Sequence, residues 1–478
     1  MSLPQVVIVG RPNVGKSSLL NWLAGARIAI VDDKPGVTRD RVSHLMCHDD
    51  RYFELVDTGG MGIADEDNLT RHVEQQIDLA IDSAAVILFV VDSREGILPL
   101  DQEVARRLRM VNVPVLCVAN KADDERQDAQ AEEFYRLGMG RPLRASTLQN
   151  RNRAVLLNMI VGKLPAPLDS EAAEGAAEPE MKLAIVGRRN VGKSTFINTL
   201  VSAPRMIVSE VPGTTRDSVD VHFELDGKSF VAIDTPGIRR AKSRKTDIDF
   251  YGTHRAQRSI RRADVVLLFF DSTERISKLD KQLAAYIAEQ YKPCILAVNK
   301  WDKLVGSIPT EKWVRYLNDS FRTMRYMPIA FITGQTGKNV KALLNHAQTL
   351  FKQSRARVAT GPLNRMLRDA VRQNPPSHVA NRRPRIFYAT QVGVQPPTIV
   401  LITNEPKLIT KQYQRYLLGK FRDELRFDEV PIKLYLRRRH PADTRDDVNA
   451  LEDEAIGQPP RDVNDREPRA AAPADAKR

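Results

Sequence analysis

The residues with the plainest chemical content form one stretch, Gly10-Arg11-Pro12-Asn13-Val14-Gly15-Lys16-Ser17. It follows an apolar run, Gln5–Val9, and opens a segment with helical apolar spacing at Leu19, Leu20, Trp22 and Leu23. A strand, a glycine-framed loop, Lys-Ser and a helix together make a phosphate-binding loop. The glycines let backbone N–H groups face phosphate oxygens, and the helix start adds the positive end of its dipole. Lys16 can reach the β and γ phosphates of a nucleotide, and Ser17 can ligate Mg2+. The same pattern returns where Met181–Val186 runs into Gly187-Arg188-Arg189-Asn190-Val191-Gly192-Lys193-Ser194. Two such loops in matching context are not coincidence.

A phosphate loop does not choose a base. That choice is written in Asn120-Lys121-Ala122-Asp123 and Asn299-Lys300-Trp301-Asp302, each closing an apolar run. A carboxylate there can accept from guanine N1–H and N2–H2, whereas adenine would leave it buried and unpaired. The Asn can bond the N7 side of the base, and the Lys stem can cover the ring. One such tetrapeptide reads as a strand-ending turn. Two, each in phase with a phosphate loop, point to guanine nucleotides.

Asp57-Thr58-Gly59-Gly60 and Asp234-Thr235-Pro236-Gly237 also end strand-like runs. An Asp there can hold Mg2+ through water, and the following N–H can sense the γ-phosphate. Thr38 and Thr215 lie in Pro-Gly-x-Thr-Arg-Asp segments, where a Thr can ligate Mg2+ only while the γ-phosphate is present, an order–disorder switch. The residues after the Asp-Thr-x-Gly motifs are Met61 and Ile238, neither able to orient an attacking water as a Gln would. Either hydrolysis is lost, or another element supplies the charge stabilisation. Asn13 and Asn190 are candidates to help hold a monovalent cation, or simply to shape the loop.

These residues need a scaffold, and the chain supplies it twice. Gly10 to Gly187, Thr38 to Thr215 and Asp57 to Asp234 are all offsets of 177, and Asn120 to Asn299 is 179. Continuously apolar runs (Gln5–Val9, Ala84–Val91, Val113–Ala119; later Val265–Phe270 and Cys294–Val298) alternate with helix-length segments such as Leu69–Ser83 and Asp101–Val111. This is a doubly wound α/β pattern with mostly parallel strands. Val42–Cys47 and Arg51–Val56 supply one antiparallel pair across Asp49-Asp50. The expected domains are 1–165 and 181–356, joined by an acidic linker at 166–180 without Lys or Arg.

Beyond residue 357 the pattern changes to helix (Pro362–Gln373), strands (Arg385–Val392, Thr398–Thr403), helix (Thr410–Phe427) and strand (Ile432–Arg437), a small α+β domain over 357–440. Residues 441–478 contain little to bury and read as a disordered tail. Residues 351–440 hold 19 Lys plus Arg against 6 Asp plus Glu, so this segment alone matches the chain's net charge of +13. Arg382, Arg383, Arg385, Lys411, Arg415, Lys420, Arg422, Arg437, Arg438 and Arg439 contribute, and an RNA partner with salt-sensitive binding is expected. No Gly-x-x-Gly clamp or stacking motif is present, which argues against reading of single-stranded sequence.

Three well-separated cysteines, Cys47, Cys117 and Cys294, argue against a disulfide framework, and no run is long enough to span a membrane. A reducing, cytoplasmic setting is expected.

Tandem guanine-type units, an acidic linker and a basic α+β domain make the chain, over roughly residues 4–440, resemble the Der (EngA) GTPases. Gly10–Ser17, Thr38, Asp57–Gly60 and Asn120–Asp123 match the family's first GTP site, and Gly187–Ser194, Thr215, Asp234–Gly237 and Asn299–Asp302 the second. The resemblance implies two P-loop GTPase domains, a KH-like third domain without the usual clamp, and a role in assembling the large ribosomal subunit through ribosomal RNA. It implies GTP and Mg2+, with K+ near Asn13 and Asn190 doing the missing Gln's work. A monomer is expected, with no membrane or DNA partner. Catalysis is expected from Lys16, Thr38, Lys193 and Thr215, and the alternative is a GTP-sensing RNA scaffold with little turnover. The absence of a Cys after Cys294 argues against the related tRNA-modifying type, and the repeat excludes a single-unit Era-like GTPase. The family's Ser-Ala pair behind guanine stands as Ser146-Thr147 in the first unit and Thr333-Gly334 in the second. Asn150-Arg151-Asn152 replaces the usual Gly-x-Gly of the first unit, so that site is expected to bind guanine more weakly.

Overall fold

The computed structural model describes residues 3–25, 42–49, 51–58, 84–166, 180–201, 207–212, 219–225, 228–235, 248–379 and 381–439. Thr38, Gly59, Gly60, Met61, Thr215, Pro236, Gly237 and Ile238, the segment Leu69–Ser83, most of 166–180 and all of 441–478 lie outside them.

Strand β1, Gln5–Val9, is buried on both faces because its residues alternate between two cores. Val6 and Ile8 join one with helix α1 (Lys16–Ala24), while Val7 and Val9 join the other with helix α2 (Pro99–Leu108). β4, Val86–Asp92, behaves the same way, with Leu88 on one side and Phe89 on the other. Truncating either residue to Ala would cost about 2–5 kcal/mol, the usual range for a filled core. The remaining strands are β2 (Val42–His48), β3 (Arg51–Asp57), β5 (Val115–Asn120) and β6 (Leu143–Arg144), in spatial order β2-β3-β1-β4-β5-β6. Among the described strands of this unit only β2 is antiparallel, paired with β3 in the register Val42↔Asp57 to His48↔Arg51. Helices α3 (Glu125–Glu132) and α4 (Arg153–Lys163) complete this unit among the described residues.

The second unit repeats the arrangement with β7 (Met181–Gly187), α5 (Lys193–Val201), β8 (Ile207–Pro212), β9 (Val219–Leu225), β10 (Lys228–Thr235), α6 (Ile248–Arg262) and β11 (Val265–Asp271). It continues through α7 (Lys278–Glu289), β12 (Cys294–Asn299), α8 (Thr310–Ser320), β13 (Ile329–Phe331) and α9 (Val340–Arg355). Its sheet has seven strands, β13-β12-β11-β7-β10-β9-β8. Edge strand β8 pairs antiparallel with β9, and the stretch that corresponds to it in the first unit lies outside the described residues. Strand β8 occupies chain that the repeat pattern treats as loop, because Ile207–Pro212 is too short to show a period.

The third domain comprises α10 (Thr360–Gln373), β14 (Ile386–Gly393), β15 (Thr398–Thr403), α11 (Lys411–Glu424) and β16 (Lys433–Arg438), with sheet order β14-β15-β16. Helix α10 starts at Thr360, so Pro362 falls in its first turn, where its missing N–H is harmless. Asn364 on α10 pairs with both backbone groups of Ala389 on β14, at 2.7 and 2.9 Å. This domain shares one continuous core with the second unit: Leu350 and Phe351 of α9 join the same cluster as Leu363, Leu367, Leu401 and Phe421. Its other sheet face, Val400, Ile402 and Tyr435, lies against Leu45 of β2 in the first unit.

Candidate nucleotide sites and the interdomain contact

Each phosphate-type loop turns from strand to helix through left-handed backbone. Asn13 has φ 66° and Asn190 φ 64°, a conformation that Asn tolerates better than other side chains. Gly15 and Gly192 have φ 91° and 95°, and a Cβ on either would collide with the amide nitrogen of Asn120 or Asn299. Those amides donate to the loop carbonyls of Val14 (2.9 Å) and Val191 (2.8 Å), so the Asn of each base motif fastens the phosphate loop to it. Sequence reasoning gave these Asn residues to the base alone, whereas the structure gives each a second bond inside the protein.

Lys16 donates to the carbonyls of Gly10 and Arg11, both at 2.8 Å, and Lys193 to those of Gly187 (2.7 Å) and Arg188. An ammonium has three donors, so each keeps one for a phosphate oxygen. Burial pushes both amines down to about 8. Arg11 is held against Asp101 (3.3 Å) and Glu95 (2.8 Å), and Arg188 against Asp280 and Glu274, both at 2.9 Å. These pairs brace the loops from the starts of α2 and α7. Pro12 and Arg189 are exposed at the loop tips, and Val191, like Val14, fills the core beneath.

Ser17 Oγ donates to Asp57 Oδ2 at 2.6 Å, and Asp57 is buried. The bond turns the hydroxyl's lone pairs outward at a helix N-terminus. An oxygen-only donor set of this kind fits Mg2+, which takes few protein ligands and completes its shell with phosphate and water. Thr58 hydrogen-bonds the Ile8 carbonyl at 2.7 Å, fixing the end of β3 to β1. Ser194 is exposed at the start of α5, and Asp234 and Thr235 end β10. Asn13 and Asn190 are exposed, and their side chains make no hydrogen bond among the described residues.

The base motifs follow β5 and β12. Lys121 (φ 62°) donates to Asp92 at 2.6 Å and to the Asn13 carbonyl at 2.8 Å. Lys300 (φ 58°) donates to Asp271 at 2.6 Å. Asp92 and Asp271 were missed in the sequence, although both precede Ser and share the 179 offset. Ala122 is buried, while Trp301 packs on Phe331 with ring centres 4.4 Å apart. Asp123 accepts from Ser146 and Arg94, while Asp302 is exposed.

The departures in the first unit's last loop have a structural explanation. Asn150 (φ 53°) stands where Gly337 (φ 75°) turns the second unit's loop, and Asn152 (φ 63°) matches Asn339 (φ 63°). Asparagine replaces glycine without changing the turn. Arg151 then ties the loop to Asp128 and the Ala122 carbonyl, at 2.9 and 2.6 Å. One bond differs: Asn299 Oδ1 accepts from Gly334 N at 2.8 Å, whereas buried Asn120 Oδ1 has no partner among the described residues.

A polar cluster joins the first and third domains. Buried Glu54, on β3, accepts from Lys433 and Tyr435 of β16, both at 2.6 Å, and from Gln5 at 2.9 Å. Lys433 also lies over the ring of Tyr291 in the second unit, 5.1 Å from its centre. No sequence period announces this meeting, because the partners lie 379 and 381 residues apart.

Residues 5–121 and 182–300 match the family model described as 50S ribosome-binding GTPase. Residues 357–437 match the model described as KH-domain-like of EngA bacterial GTPase enzymes, C-terminal. The GTPase Der of Rhodopirellula baltica is 61% identical over 445 residues, 93% of this chain and 97% of that protein. The GTPase Der of Desulforamulus reducens is 43% identical over 445 residues, 93% of this chain and 100% of that one. Among solved structures, Aquifex aeolicus Era bound to GDP.AlF4- matches with 24% identity and a TM-score of 0.28, covering 55% of this chain and 94% of that one. Identity sustained over 93% of its length places the chain in the GTPase Der family, as a GTP-binding, GTP-hydrolysing enzyme with two GTPase domains and a KH-like domain.

Proposed function

We propose that this GTPase acts in assembly of the large ribosomal subunit, and that its nucleotide state controls how the first unit sits on the basic third domain. The observation that carries this reading is the Glu54 cluster. β3 leads directly from the interdomain contact at Glu54 to Asp57, three residues on, at the phosphate end of the site. A shift of the β2–β3 hairpin when the γ-phosphate is bound or lost would therefore reach the third domain without an intermediary. Undocking would change access to the third domain's basic side chains, which suit ribosomal RNA phosphates.

In each site a water attacks the γ-phosphorus in line with the departing GDP oxygen. Lys16 or Lys193 and the loop N–H groups stabilise the charge that develops on the bridging and terminal oxygens. Ser17, Thr38 and Asp57, and Ser194, Thr215 and Asp234, would hold Mg2+, which when bound neutralises phosphate charge. Asn13 and Asn190 would contribute to a K+ position beside the β–γ bridge. The proposed setting is the cytoplasm and the proposed state a monomer. Among the described residues no helix is long and apolar enough to cross a membrane.

Cosedimentation with purified large subunits, with GDP or a non-hydrolysable GTP analogue and over a salt series, tests this. Binding that depends on nucleotide and falls with salt is expected. Absence of binding under every condition would overturn the ribosomal role. Phosphate release in K+ against Na+ tests the cation separately.

A further inference from the structure

The two base sites share a backbone and differ in one side chain beside the carboxylate that selects the base. Asp92 and Asp271 accept from the N–H two residues on, Arg94 at 3.0 Å and Thr273 at 2.9 Å, and each also accepts from the motif lysine. Arg94 and Thr273 therefore start from the same place. Thr273 Oγ1 turns back to Asp271 at 2.7 Å. Arg94 reaches across and donates to Asp123 Oδ2, while Ser146 Oγ donates to Oδ1. Burial works to raise the Asp123 carboxyl, but the Ser146 hydroxyl and the Arg94 guanidinium together hold it below the usual carboxylate range. Asp302 is exposed and has no side-chain partner among the described residues.

The edge of guanine that faces such a carboxylate, N1–H with N2–H2, is itself a guanidine fragment closed into a ring. An arginine guanidinium offers the same kind of planar N–H donor with a full positive charge added, and Arg94 Nη2 takes one of the two carboxylate oxygens, Oδ2. We infer that Arg94 is an internal competitor for guanine at the first site, engaging the base-selecting carboxylate so that an incoming guanine nucleotide must displace it. Among the described residues the second site has no such competitor. An adenine nucleotide displacing Arg94 would leave Asp123 with no donor in return, so the competitor weakens guanine binding while sharpening the choice of base. Arg94 is half exposed, at 52%, and can swing into water, so the effect is moderate and the site still fills. At limiting nucleotide the second site fills first. This inference rests on reading Asn120–Asp123 and Asn299–Asp302 as the two guanine sites.

The test uses the full chain carrying Asp302→Asn, which removes the second site's carboxylate so that guanine binding reports the first site. GDP affinity is measured with fluorescent GDP for this parent, for Arg94→Thr, which installs the second unit's residue, and for Arg94→Lys. Arg94→Thr is expected to bind GDP about three- to tenfold more tightly, the scale of a partly exposed, charge-assisted pair. Arg94→Lys, which keeps the charge but not the planar guanidinium, should fall between. Unchanged or weaker binding in Arg94→Thr overturns the inference, weaker binding meaning that Arg94 positions Asp123 for the base. If Arg94→Thr melts well below the parent, the Arg94→Lys comparison decides by the same criterion. A parent that binds GDP no better than ADP would instead defeat the guanine-site reading itself.

Discussion

Replacing Glu54 should release the first unit from the third domain without unfolding either. Glu54 is 2% exposed and Lys433's side chain 16%, so Glu54→Leu leaves an ammonium and the Tyr435 hydroxyl largely buried without their acceptor. Breaking a fully buried pair costs about 3–5 kcal/mol, and partial access of water to Lys433 brings this to about 2–4 kcal/mol. That shifts the docked-to-undocked ratio by roughly thirty- to several-hundredfold. The Glu54 carboxylate faces Lys433 and Tyr435 of the third domain, so the first unit's own folding should survive. Small-angle scattering of the full chain should show a larger radius of gyration, and hydrogen exchange should speed up in β15 and β16. Adding Lys433→Met and Tyr435→Phe to Glu54→Leu replaces the polar cluster by apolar groups of similar size and should restore docking. Scattering and exchange unchanged in the single variant, or a triple variant no better docked than the single, would refute the assignment.

Three further outcomes follow from the same geometry. With Lys16 at about 8, a growing fraction is neutral as pH rises, while bound phosphate favours the charged form. GDP binding at the first site should therefore take up a proton and weaken about fourfold between pH 7.0 and 8.5, as followed by titration calorimetry, and Lys16→Arg should remove the dependence. Gly15→Ala combines left-handed backbone with a collision against Asn120, so GDP affinity at that site should fall by about tenfold or more, read against the same fluorescent GDP. Asn364→Leu strips the buried Ala389 N–H and C=O of their partners. It should destabilise the second unit and third domain together by about 2–4 kcal/mol, seen as one shifted transition in urea unfolding.

Much of this was legible because it repeats. The motif residues stand at fixed offsets, and the apolar runs that carry them, such as Val86–Asp92 and Val265–Asp271, are buried end to end. The β2–β3 hairpin was legible from the turn residues Asp49-Asp50 between two strand-like runs, and Asp49 adopts φ 48°. Edge strand β8 was not, and helix α11 ends at Glu424 although apolar spacing runs on to Phe427, which reaches the core from outside the helix. The site was legible as a list of motifs but not as a set of bonds. The Asn120 and Asn299 ties to the phosphate loops, the Asp92 and Asp271 partners of the motif lysines, and the Arg94 contact with Asp123 all join residues distant in sequence. Glu54 lies in an otherwise ordinary strand, and its partners are fixed only when three domains meet.

Strand β15 has no face left for water. Ile399 and Leu401 belong to the core shared with the second unit, and Val400 and Ile402 to the contact with the first. A sheet of this kind guards against idle opening. Separation would wet valine, isoleucine and tyrosine side chains and return nothing, so an opened molecule drifting alone is disfavoured and soon recloses. Opening persists only where a foreign surface takes the vacated place, and this makes the resting form in effect a sensor of whether its target is at hand.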